Sequence, residues 1–261
     1  MSWWGKVIGG AFGFMLGGPL GAVLGAAFGH QFDKGLKGLD TERLSPGDTE
    51  RVQLAFFTAT FSVMGHMAKA DGQVTRDEIA LAEAVMARMD LAPQMRKAAI
   101  KLFDQGKKDD FPLDDVLDQF RQETQRRRNL LRMFLEIQLQ AALADGTLHA
   151  AERRVLERVC DRLGLARAEL DALEAMFRAE FHHQRTRPTQ RPVLADAYAI
   201  LGVDEKASDA EIKRAYRRLM SQHHPDKLVA KGLPEEMMKV ATQKTHEIRQ
   251  AYEAVREARG F

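Results

Sequence analysis

The densest recognition chemistry in the chain is the tripeptide His224-Pro225-Asp226. An imidazole that can donate or accept hydrogen bonds and a carboxylate that accepts them flank a proline, whose ring fixes the backbone between them. No nucleophile-base pair or phosphate-binding loop accompanies this set, so no bond-making chemistry is read there. Just upstream, Lys213, Arg214, Arg217 and Arg218 alternate with Ile212, Ala215, Tyr216 and Leu219. On a helix that spacing sets cations mostly on one face and apolar residues on the other.

A second group of candidate residues is acidic. Asp71-Gly72 followed by Glu78 recurs as Asp145-Gly146 followed by Glu152, at a constant offset of 74 residues. The repeat extends through MAKADGQVTRDEIALAEAVMARMDL, from Met67, and AALADGTLHAAERRVLERVCDRLGL, from Ala141. Asp-Gly-x5-Glu is the closing half of a calcium loop, but the opening ligand positions hold Met67 and Lys69 in one copy and Ala141 and Leu143 in the other. Neither copy is therefore a self-contained calcium site. A divalent metal shared by Asp71, Glu78, Asp145 and Glu152 stays open beside the plainer reading, in which acids after a turn favour helix N-termini. Thr75 and Glu78 make such a start, a T-x-x-E capping box. No other cofactor is implied. Cys160 sits near Val155, Val159 and Leu163 on an apolar helix face and reads as a small core residue. His182 and His183 are adjacent, a spacing that does not place them on one helix face. No residue is assigned a catalytic role, and the chain is not read as an enzyme.

The elements that must position these groups are helices. The chain has 261 residues, 45% hydrophobic and 29% charged, with 39 Lys and Arg against 37 Asp and Glu. That composition is globular, and the balanced charge argues against a dedicated nucleic-acid binder. A single cysteine excludes a disulfide framework and fits a reducing compartment. Residues 49–181 carry three-to-four spacing throughout, with Leu54, Phe57, Phe61 and Met64 tracing one face. Pro93 and Pro112 open helices there. Arg126, Arg127 and Arg128 read as a solvated helix face. Residues 182–193, HHQRTRPTQRPV, make a basic, Pro-containing linker that anionic lipid could attract weakly. In residues 194–261, Ser208 and Glu211 cap a helix that Pro225 ends, and another helix starts near Pro234.

Residues 7–29 contain no charge. As one helix they would span about 35 Å, enough to cross a bilayer. Trp3 and Trp4 sit where interfacial aromatics belong, after a short N-terminal stub of residues 1–6. Lys6 alone precedes the span, whereas Lys34, Lys37 and Arg43 follow it in the mixed-charge linker 30–48, so the N-terminus lies outside and the long C-terminal part in the cytoplasm. Glycines at 5, 9, 13, 17, 21, 25 and 29 recur every four residues. Such a series makes a side-chain-free groove, and Gly9, Gly13, Gly17, Gly21 and Gly25 are expected to pair two copies into a homodimer. Pro19 is expected to kink the helix.

The paired A-D-G-x-[VL]-x-x-x-E element resembles the TerB-like family of helical domains. That resemblance implies no enzyme activity, and it adds weight to a metal at the repeat. Ala197-Tyr198-x-x-Leu201-Gly202, Lys213-Arg214-Ala215-Tyr216-Arg217, His224-Pro225-Asp226-Lys227 and Ala251-Tyr252-Glu253 resemble the J-domain of DnaJ-type co-chaperones. The implied fold is a helical hairpin. The implied activity is docking on Hsp70, DnaK in bacteria, through His224, Pro225, Asp226, Lys213, Arg214, Arg217 and Arg218, with stimulation of its ATP hydrolysis. The Gly/Phe-rich region and C-x-x-C zinc module of a main-type DnaJ are missing from this chain. The order of anchor, TerB-like repeat domain and C-terminal J-domain resembles the DjlA-type family of membrane-anchored co-chaperones of Gram-negative bacteria. The family implies an all-α inner-membrane protein with one crossing and a periplasmic N-terminus, membrane-proximal clients, and a link to envelope-stress and capsule signalling. A metal-responsive membrane sensor working through the repeat domain is the alternative.

Overall fold

The computed structural model describes residues 17–35, 48–70, 86–87, 91–143, 146–186, 194–234 and 237–261. Among these residues there are helices and turns but no strand, as expected for an all-α chain. In chain order the helices are α1 (Gly18–Gly35), α2 (Asp48–Ala68), α3 (Pro93–Gly106), α4 (Leu113–Glu123), α5 (Arg128–Ala142), α6 (Ala150–Leu163) and α7 (Arg167–Thr186). They continue as α8 (Leu194–Leu201), α9 (Asp209–His223), α10 (Pro225–Val229) and α11 (Met238–Arg259).

Helix α2 organises the middle of the chain. Asp48 and Glu50 in its first turn favour the positive end of the helix dipole. Every residue from Val52 to Gly65 is buried. The one apolar face expected from Leu54, Phe57, Phe61 and Met64 is thus a correction: the helix has no solvent face along this stretch. Its polar residues are accommodated locally. Thr60 Oγ1 donates to the Phe56 carbonyl at 2.7 Å and Ser62 Oγ to the Thr58 carbonyl at 2.7 Å, while Gln138 Nε2 of α5 donates to the Thr60 carbonyl at 2.9 Å. Phe56 meets Phe120 of α4 and Phe134 of α5 edge-on, at 5.7 and 6.2 Å between ring centres. Helices α2 and α3 cross backbone to backbone. A Cβ at Gly65 would lie 2.0 Å from the Phe103 carbonyl oxygen, and one at Gly106 would lie 1.8 Å from that of Ser62.

The uncharged N-terminal segment departs from the uninterrupted helix expected over residues 7–29. Residues 1–16 lie outside the described residues. Gly17 and Gly18 both have φ +56°, a left-handed geometry that glycine adopts without cost and that an α-helix cannot run through. Helix α1 therefore starts there, and Pro19 stands in its first turn, where its missing N–H is harmless, instead of kinking an interior. The Gln119 side chain of α4 secures this start: its Oε1 accepts from Leu20 N at 2.8 Å and its Nε2 donates to the Gly17 carbonyl at 3.0 Å. Leu20, Val23 and Leu24 are buried in the middle-domain core. No helix among the described residues is long and apolar enough to cross a membrane.

The C-terminal helices make a second, smaller core from Ala197, Tyr198, Leu201, Ile212, Leu219, Ile248, Ala251 and Val255. Tyr216 and Tyr252 stack at 4.1 Å. Arg259 closes the hairpin, donating to the Tyr198 hydroxyl and the Ala207 carbonyl, each at 2.6 Å. Helix α11 starts at Met238, later than expected from Pro234, which is buried and accepts from Met237 N in a turn at 2.9 Å.

The α2–α3 crossing predicts that Gly65→Ala lowers the stability of the chain by about 1–3 kcal/mol, the usual cost of forcing extra volume into a packed site. Gly25→Ala, where nothing lies within 4 Å of the new methyl, should leave it unchanged or slightly higher. Chemical unfolding of the two variants measures both, and equal melting of Gly65→Ala and the parent would contradict the crossing.

Candidate functional site

Helix α9 begins with the reciprocal cap expected from its sequence. Ser208 N donates to Glu211 Oε2 at 2.7 Å, and Glu211 N donates to Ser208 Oγ at 3.3 Å. The Ser208 N–H, together with the Ser208 hydroxyl, which donates to Glu211 Oε2 at 2.8 Å, holds the Glu211 carboxyl below its ordinary value. The helix buries Ile212, Ala215, Leu219 and His223 along one face. It turns Arg214, Arg217 and Arg218 to solvent on the other. Arg217 Nε donates to the Lys213 carbonyl at 3.2 Å, and Lys213 Nζ lies 4.5 Å over the Phe261 ring. Lys213 is half-buried, so the outward cationic face is carried by the three arginines.

The expected loop after α9 is tighter than a loop. His224 alone is extended, with φ −61° and ψ 121°, the conformation a following proline imposes. It ends α9 and caps α10, where Pro225 takes the first helical position. The side chains of His224 and Asp226 are exposed. Lys227 Nζ folds back to Ser221 Oγ at 2.9 Å, which ties the corner to α9.

The inner side of this corner rests on the middle domain. His223, 2% exposed, has Nδ1 at 3.4 Å from Oε2 of Glu136 on α5, itself 4% exposed. Glu136 also accepts from Arg132 Nε at 3.0 Å. Leu228, Leu233, Met237 and Ala241 belong to the middle-domain core, not to the hairpin's own. Lys244 Nζ lies 4.2 Å over the Phe177 ring of α7. Gly232, at φ +101°, lets the backbone pass Val52 of α2, whose Cγ1 would lie 2.5 Å from a Cβ there. Arg127 Nη1 donates to the Lys231 carbonyl at 2.6 Å.

That last contact corrects the arginine run. Gln125 and Arg126 have φ near +52° and +55°, so Arg126 and Arg127 sit in the turn between α4 and α5 and only Arg128 is helical, as the first residue of α5. Arg127 reaches the C-terminal helices, and Arg128 pairs with Glu169 at 2.5 Å. Sequence reading missed Arg127, Glu136 and His223 as site residues. Only His223 carried a local signal, since it lies four residues beyond Leu219 and continues the apolar stripe.

The other expected groups are placed as follows. Asp71, Glu78 and Asp145 lie outside the described residues. Glu152 accepts from His149 N at 2.9 Å and caps the start of α6. Among the described residues, no three His, Cys, Asp or Glu side chains gather as a metal group. Cys160 is buried, and burial pushes its thiol up to about 12. Of the glycine series, Gly9 and Gly13 lie outside the described residues. Gly17 makes the turn before α1, Gly21 is buried, and Gly25 faces open space.

Comparison with known proteins accounts for all three parts of the chain. Residues 57–175 match the family model of tellurite resistance protein TerB, residues 1–39 that of the co-chaperone DjlA transmembrane domain, and residues 196–259 that of the DnaJ domain. The co-chaperone protein DjlA of Coxiella burnetii is 48% identical over 269 residues, covering 100% of both chains. That of Photobacterium profundum is 45% identical over 278 residues, covering 99% of both. That of Vibrio cholerae is 46% identical over 284 residues, again 100% of both. No solved structure matches the chain.

Burial lowers the His223 imidazole from its ordinary value, with Lys244 and Arg132 adding to the shift and Glu136 and Glu247 opposing it. The docked histidine therefore binds its proton less tightly than a freed one, which titrates near about 6.5. Its contribution to docking is complete above that pH and is lost as the pH falls through the lowered value. Hydrogen-exchange protection of residues 228–241 should hold from pH 8 to 7 and weaken from roughly pH 6.5 downward. His223→Phe should remove the dependence, and an unchanged profile in that variant would show that another group titrates.

Proposed function

The chain belongs to the DjlA family of co-chaperones, and from that premise we propose that it docks on an Hsp70 ATPase, DnaK in bacteria, and stimulates its ATP hydrolysis. The carrying observation is the outward face of α9 and α10. His224 and Asp226 are exposed at a one-residue corner, and Arg214 and Arg218 have no ion pair among the described residues. A fold rarely holds a rigid, charged corner outward for its own stability, since exposed pairs contribute little. The arginines would orient an acidic surface of the ATPase, and His224 and Asp226 would supply directional hydrogen bonds at the contact.

The family is membrane-anchored and regulatory rather than catalytic. The proposal extends this to a single crossing of the bacterial inner membrane within residues 1–39, with the N-terminus periplasmic and the helices from α2 onward cytoplasmic; insertion of α1 would withdraw Leu20, Val23 and Leu24 from the middle-domain core. Lys34, Lys37 and Arg43 support that orientation. Self-association through the glycine series belongs to the same reading, as do membrane-proximal clients and a part in envelope-stress and capsule signalling.

His224→Gln should abolish stimulation of DnaK in a single-turnover ATPase assay at every salt concentration, while circular dichroism stays unchanged. Arg217→Glu should weaken stimulation chiefly at low salt, because exposed charges are screened over about 8–10 Å at moderate ionic strength. Full stimulation by a folded His224→Gln chain would refute the reading.

A further inference from the structure

The corner that carries His224 and Asp226 is gripped from behind at both ends. The residue before it, His223, and the residue after its first turn, Leu228, are both buried against the middle domain. Between these two pins, His224, Asp226 and Lys227 point to solvent. Three further contacts extend the grip. Gly232 passes over Val52, the Lys231 carbonyl accepts from Arg127, and Leu233, Met237 and Ala241 enter the middle-domain core. A J-domain that only needed to be tethered could hang from the basic linker read at 182–193, whose first residues the structure gives to α7. Instead the segment that defines its docking corner is sunk into the neighbouring domain.

Buried polar groups make this grip specific rather than merely apolar. Glu136 is nearly sealed from water, with Arg132 of its own helix and His223 of α9 beside its oxygens, while Lys244 and Glu247 of α11 act on His223. A carboxylate buried at an interface costs free energy unless its partners are in place, so it favours one arrangement of the two domains over sliding alternatives. The backbone of His223 continues directly into His224. Whatever fixes the His223 ring therefore fixes the direction in which the His224 side chain leaves the corner.

We propose that the middle domain positions the docking corner, with Glu136 as a positioning residue that acts through His223. This rests on the reading that the corner stimulates Hsp70. The middle domain is then part of the docking machinery, and the direction from which DnaK approaches is set relative to the anchored body of the chain.

The test uses the full chain in lipid nanodiscs with DnaK, reading half-saturating concentration and maximal single-turnover rate separately. Glu136→Ala should raise the half-saturating concentration about fivefold with little change in maximal rate, within the range of coupling between contacting residues. Glu136→Gln, which keeps the size and an acceptor oxygen, should stay near the parent. In a His223→Phe background Glu136→Ala should have no further effect, whereas additive effects would overturn the proposal. Arg127→Ala, at a half-buried turn, supplies a second test that spares the core and should act in the same direction. A parent-like half-saturation in both Glu136→Ala and Arg127→Ala would also overturn it. Hydrogen exchange at residues 226–233 reads the grip without DnaK. Faster exchange in Glu136→Ala supports the grip even if the parent proves unable to stimulate, and unchanged exchange contradicts it.

Discussion

A helix with no solvent face has to be covered on every side, and α2 imposes that demand on the rest of the chain. From Val52 to Gly65 every residue on it is buried. Helices α3, α4, α5 and α6 supply most of the cover, and α1 adds more by burying Leu20, Val23 and Leu24 in the same core. The last portion comes from the C-terminal region, where Gly232 closes over Val52. The two domains separated in sequence by a basic linker therefore meet on a common helix.

The functional corner gains two distinct faces from this arrangement. Inward, His223 and Leu228 satisfy the packing of the middle domain. Outward, the side chains of His224, Asp226, Arg214 and Arg218 are exposed, and Arg217 bonds back to the Lys213 carbonyl of its own helix. Proline links the two by forcing a single extended residue between two helices, which leaves no slack between the pinned and the exposed side chains. A free loop of several residues would decouple them, at a cost in ordering entropy on binding of about 1–2 kcal/mol per residue fixed.

How much of this was legible in the sequence follows the range of the interactions. The α9 cap, its apolar and cationic faces and the proline corner depend on residues within a turn or two of one another, and all were readable. The wrapping of α2 was not, because Thr58, Thr60 and Ser62 look like a solvent face, although Thr60 and Ser62 donate to carbonyls four residues back. The start of α1 at Gly18 was hidden by an uncharged stretch whose hydropathy is continuous, and the break depends on Gln119, about a hundred residues away. The arginine run at 126–128 was misread for the same reason, since the partner of Arg127 is the Lys231 carbonyl in the turn after α10 and that of Arg128 is Glu169 on α7. Glu136 and His223 become a pair only through the meeting of the two domains.

The central claim is that the J-domain and the middle domain form one mounted body. Spin labels at exposed Arg154→Cys on α6 and Gln250→Cys on α11 address it in the full chain in lipid nanodiscs, since Cys160 is buried and its thiol, pushed up to about 12, resists labelling. Pulsed electron paramagnetic resonance should return one narrow distance distribution. A broad distribution, as from two domains swinging on residues 187–193, would contradict the account.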